Sequence, residues 1–140
     1  MEYLRAGRHY ILRLDKGEEI IDSISRLCEK ENIRAGSVTG IGAANDIEIG
    51  IFDTANKQYL KKEYKGDFEI SALVGNISGM EGKPYLHLHI TIGNPVENLF
   101  AAGHLSRCMI SATGEIYITE VDAEIGRLYS EEIGLNLIEY

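Results

Sequence analysis

From His9 to Leu14 the chain reads HYILRL, with apolar and polar residues in alternation, the pattern of a strand that buries one face. Asp15-Lys16-Gly17-Glu18 follows, and Asp15 and Glu18 stand at capping-box spacing, so a helix is expected to start here. Ile20, Ile21, Ile24, Leu27 and Cys28 recur at intervals of three and four, which predicts a helix over about 18–31 with one apolar stripe and a stop at Asn32. Beyond it the period changes to two. SVTGIGA, DIEIGIF, KQYLKKEY, FEISALVGNIS, YLHLHITIG, CMISA, EIYITEV and GLNLIEY all read as strands divided by Gly, Asn or Asp turns. One helix among eight or so strands predicts an α+β domain with a mainly antiparallel sheet covered on one face by that helix.

The length of 140 residues matches a single domain spanning 1–140, and 15 glycines against 2 prolines suit a strand-rich chain with many tight turns. The formal charge of −8 produces a field that repels nucleic-acid backbones, which disfavours unaided DNA binding by the surface as a whole. Cys28 and Cys108 are far apart and in no metal-type spacing, so both are expected in the core as reduced thiols. The N-terminal MEYLRAGRHY lacks an apolar signal region and no apolar run is long enough for a membrane span, which predicts a cytoplasmic location with no membrane partner.

Gly40-Ile41-Gly42 looks briefly like a dinucleotide fingerprint, but the third glycine is missing and a strand pattern follows where a helix should open. The two glycines are expected to permit a bulge or a close backbone approach, with Asn45-Asp46 turning the chain into the next strand. The chemistry-bearing motif is His87-Leu88-His89, because residues two apart on a strand project from one face and bring both imidazoles within reach of one ion. The hairpin expected in ITIGNPVENLFAAGHL would fold His104 back beside the pair. Three imidazoles make an open zinc set; the competing reading makes them ordinary strand residues bonded to their neighbours. His9 has no partner and is left outside the site. Glu69, Glu115 and Glu120 are candidates for a general base or an outer ligand, with Glu69 first because Phe68 and Ile70 flank it in a strand expected to be central. Lys57, Lys61, Lys62 and Lys65 gather around Tyr59 and Tyr64, either as a patch for an anionic partner or as edge-strand lysines that block aggregation.

Taken in order, RLDKGEEIIDSI, GSVTGIGA, IGIFD, FEISALVGNIS, KPYLHLHITIG, GHL, TGEIYITE and GLNL resemble the plant and prokaryote PPC domain over nearly the whole chain. The resemblance implies a curved, largely antiparallel sheet and a homotrimer assembled through sheet contacts. In plants the domain follows AT-hook motifs and acts in transcription-related complexes through protein contacts; prokaryotic members share a DNA-binding label by that association. No Arg-Gly-Arg-Pro AT-hook core is present in this sequence. The HLH and GHL blocks are similar to those of prokaryotic relatives with a metal, zinc, which implies a ligand role for His87, His89 and His104.

Two functions follow as expectations. One is a trimeric binding module with a histidine metal site, working through other proteins or a small ligand in a transcription-related role. The alternative is a zinc-dependent hydrolase or lyase that uses metal-bound water, with Glu69 or another carboxylate handling the proton.

Overall fold

The computed structural model describes residues 1–140. In chain order the elements are β1 (Glu2–Ala6), β2 (His9–Asp15), α1 (Ile20–Glu31), β3 (Gly36–Asp53), β4 (Gln58–Met80), β5 (Lys83–Asn94), β6 (Leu99–Glu120), β7 (Gly126–Ser130) and β8 (Leu135–Glu139). Six strands form one antiparallel sheet in the order β1-β2-β6-β3-β4-β5, and β5 also pairs with β6, so the sheet curls until β3, β4, β5 and β6 close on themselves. β7 and β8 make a separate antiparallel pair. The α+β class and the mainly antiparallel sheet are as the residue pattern predicts, and the curvature is as the family resemblance implies.

Several predicted strands fuse. SVTGIGA and DIEIGIF are the two halves of β3, and Asn45-Asp46 makes no turn: the register slips between Ala44 and Asp46 while the strand continues. An extra residue bends a strand without ending it, which gives the same local polarity signature as a turn. The slip expected at Gly40 and Gly42 is present. A Cβ on Gly42 would stand 2.4 Å from the Thr113 carbonyl oxygen, so that strand crossing needs glycine. KQYLKKEY and FEISALVGNIS likewise merge into β4, and CMISA and EIYITEV into β6.

The helix begins at Ile20, two residues later than predicted. Its N-cap is Glu19, whose carboxylate accepts from the Asp22 N–H at 2.7 Å. Glu18 instead accepts from the Asp15 N–H at 2.9 Å, closing the turn that precedes the helix. Asn32 ends α1 in the left-handed region, φ 56°, as expected of a C-cap asparagine. Ile20, Ile24, Leu27 and Cys28 are buried on the side that packs against β5 and β6, where they join Leu12, Leu14, Leu88, Ile90, Ile92, Ile110 and Ile116 in the main core. Cys28 and Cys108 are buried free thiols, each pushed up to about 12 chiefly by burial. No helix is long and apolar enough to cross a membrane.

Candidate metal centre

β5 alternates its faces strictly. Leu88, Ile90 and Ile92 are buried toward α1, while His87 and His89 project from the opposite side. The β5–β6 hairpin turns at 95–98, where Asn94 Oδ1 accepts the N–H groups of Val96 and Glu97. That turn sets the register His89 opposite His104. Ring centroids lie 5.1 Å apart for His87–His89, 5.3 Å for His87–His104 and 5.7 Å for His89–His104. One nitrogen from each ring falls within 4.8 Å of the other two. Tetrahedral zinc nitrogens at about 2.0–2.1 Å from the ion stand about 3.4 Å from one another, so modest side-chain rotation closes the set.

The strands beneath are held by a close approach. A Cβ on Gly75 in β4 would lie 2.1 Å from the His87 carbonyl oxygen, so only glycine lets β4 pass this near to β5. Above the cluster, Tyr59 stacks on His104 at 4.6 Å and Phe52 meets Tyr59 edge-on at 5.2 Å.

Burial first, then His87, His89 and Lys61, drives the His104 imidazole down to about 4. Burial, His89 and Arg127 lower His87 in the same direction. Both rings are therefore neutral at pH 7 and keep a lone pair for a metal. The His104 Nδ1 is buried and has no hydrogen-bond partner, a deficit of about 1–3 kcal/mol that a bound cation would relieve. The donor set suits zinc: three imidazoles with no carboxylate among them.

The remaining candidates lie elsewhere. His9 is exposed at the far side of the sheet, with Nδ1 3.2 Å from Thr119 Oγ1. Glu69 does sit between buried Phe68 and Ile70 in a strand flanked by β3 and β5, but it is exposed, forms no ion pair, and pairs with Gly93, about 13 Å along β5 from His89 at the strand rise. Glu115 is exposed opposite Arg13, and Glu120 accepts from the Tyr10 hydroxyl at 3.3 Å. None of the three carboxylates reaches the histidines. In the lysine segment, Lys61 bonds Glu48 at 2.9 Å, Lys62 lies over Tyr64, and Lys57 donates to the Glu131 carbonyl. β4 has no β5 partner before Glu69, so Lys61, Lys62 and Lys65 lie on a stretch of β4 that pairs with β3 alone, while Lys57 precedes the strand.

Two residues beside the site carried no sequence signal for it. Arg127 donates to Asn76 Oδ1 at 2.7 Å, and Asn76 is the cross-strand partner of His87. Tyr59 was visible only as part of the lysine segment; its placement on His104 depends on the register of β3 with β4 and β6.

The family model for the Plants and Prokaryotes Conserved (PCC) domain matches residues 1–122. The chain belongs to this family, the one its sequence blocks resemble. The β7–β8 hairpin lies beyond the matched residues of the PCC domain. Among solved structures, the PCC chain is similar to a candidate DNA-binding protein from Bacteroides thetaiotaomicron, at 34% identity and TM-score 0.94, with 99% of this chain and 96% of that one covered. It is similar to a metal-containing protein from Archaeoglobus fulgidus at 31% identity and TM-score 0.90, covering 99% and 97%. A plant- and prokaryote-conserved protein from Pyrococcus horikoshii aligns at 31% identity and TM-score 0.86, covering 99% and 95%. A comparison with curated proteins found no match.

Proposed function

We propose that this PCC chain is a homotrimeric binding module that holds zinc on His87, His89 and His104 and acts through a small ligand or partner proteins in a transcription-related role. The observation that carries the reading is the convergence of three imidazoles, two of them biased to the neutral form, with a buried unpartnered nitrogen in their midst. The metal-containing relative from Archaeoglobus fulgidus supports it. When bound, zinc would act as a Lewis acid with a coordination position left for a ligand.

Self-association is supported by an exposed row across the sheet. Leu4, Ile11, Tyr117, Thr39 and Val74 are successive cross-strand partners, and the row continues into His89 and His104. Leu4, Tyr117 and Val74 are 61%, 53% and 49% exposed, an apolar stripe suited to cover by another copy. Sedimentation equilibrium tests this directly: a trimer that dissociates in Tyr117→Glu is expected, and a wild-type monomer at micromolar concentration refutes it.

The hydrolase or lyase reading draws on the open coordination position that three ligands leave. It lacks a base, since no carboxylate approaches the cluster. The DNA-binding descriptions of relatives are weighed against a net charge of −8 and the pairing of Lys61 with Glu48. A low-salt gel-shift with duplex DNA is expected to show no retarded band; retardation that weakens steeply with salt would restore direct DNA binding.

A further inference from the structure

The protein carries a net charge of −8, yet the charged side chains that bear on His87 and His104 are the cations Arg127 and Lys61. Lys61 is offset by Glu48 at 2.9 Å. Arg127 is not offset. It donates from Nε to Ser78 Oγ at 2.9 Å, from Nη1 to the Asn136 carbonyl at 3.1 Å and from Nη2 to Asn76 Oδ1 at 2.7 Å, all neutral acceptors. Its guanidinium lies over the Tyr85 ring at 4.9 Å. The other half-buried arginine, Arg107, makes the contrast plain: it bonds Asp46 at 2.8 Å and Glu63 at 3.1 Å. Arginine has five N–H donors, so Arg127 keeps one on each terminal nitrogen, the fork that receives two carboxylate oxygens.

The surroundings add donors of the right kind. Tyr85, His87 and His89 alternate along β5 and so share a face. The Tyr85 hydroxyl accepts from Asn136 Nδ2 at 3.4 Å and keeps its proton to donate. Tyr59 stacks on His104 at 4.6 Å between ring centroids. Imidazole ligands, unlike carboxylates or thiolates, bring no negative charge to a bound divalent ion, and an uncompensated guanidinium stands beside them. A single planar cation with hydroxyl donors, remote from any helix N-terminus, suits a carboxylate better than a doubly charged phosphate.

We infer that the histidine cluster takes a small organic acid, whose carboxylate is received by Arg127 with the Tyr59 and Tyr85 hydroxyls and whose second oxygen function reaches the metal. This rests on the reading of the three histidines as a metal centre. The test is calorimetric titration of the full-length, metal-assayed protein with lactate, pyruvate and inorganic phosphate, in wild type, Arg127→Gln, Tyr59→Phe and the His87→Ala, His89→Ala double variant. Wild type is expected to bind an acid, with Arg127→Gln weaker by at least about tenfold, the scale of one lost charge-assisted hydrogen bond, at unchanged metal content. Tyr59→Phe, which leaves the β7–β8 hairpin docked, is expected to weaken binding less. Metal present with no acid bound, acid binding indifferent to both Arg127→Gln and Tyr59→Phe, or phosphate preferred to both acids overturns the inference and leaves the metal centre standing. A metal-free wild type overturns both.

Discussion

The two faces of β5 are built from alternate residues of one strand and obey different rules. Leu88, Ile90 and Ile92 are no more than 2% exposed and pack under α1 in the continuous core. Tyr85, His87 and His89, one residue out of phase, carry polar rings on a half-buried surface, and the His104 Nδ1 opposite them goes without a partner. The inner face is satisfied by its own packing. The outer face leaves the His104 Nδ1 unsatisfied by the protein alone, the deficit that the proposed metal would meet.

Substitutions on the two faces should therefore separate stability from metal binding. Leu88→Ala is expected to cost about 2–5 kcal/mol in urea unfolding, as cavity-forming core changes do. His89→Ala, one residue along and on the opposite face, should change the metal-free protein by less than about 0.5 kcal/mol while abolishing the metal. Equal losses of stability from both would erase the distinction.

Acid should expose the same asymmetry. An imidazole driven down to about 4 in the fold, against an ordinary value of 6.5, binds fewer protons folded than unfolded between those values. Stability then rises with pH across that window and is lost as pH falls from about 6.5 to 4, by ~3 kcal/mol at most. His104→Phe, which cannot titrate, should flatten the metal-free profile; an unchanged slope would assign the effect to other groups. With metal present the profile should steepen, since protons compete for the ligand nitrogens.

Gly75 tests the link between the faces. Gly75→Ala would force a Cβ onto the His87 carbonyl and is expected to cost about 1–3 kcal/mol and to weaken metal binding by displacing β5. Metal affinity unchanged in a folded Gly75→Ala protein would show that the β4–β5 spacing does not hold the site. Last is Glu19, which caps α1 and also accepts from the buried Cys108 N–H at 2.8 Å: Glu19→Ala should lower the melting midpoint by the equivalent of ~1–3 kcal/mol without touching metal content.

The alternation that buries Leu88 and Ile90 is what made His87 and His89 readable as a pair, and the hairpin expected in ITIGNPVENLFAAGHL is the one that returns His104. These are local signals of period and turn. What the sequence did not disclose depends on register between distant strands: the stacking of Tyr59 on His104, the docking of Arg127 against Asn76, and the solvent exposure of Glu69 despite its apolar neighbours. The slip at Ala44/Asp46 was read as a turn because a bulge uses the same small polar residues. β1 and β7 went unseen since each is five residues long and buries no residue fully, which leaves too little alternation to register.

Metal content per subunit, measured on untagged protein purified without added metal, tests the central claim most directly. Near one zinc per chain in wild type and none in the His87→Ala, His89→Ala variant is the predicted result. Equal trace metal in both would contradict it, and would return the three histidines to the role of ordinary strand residues.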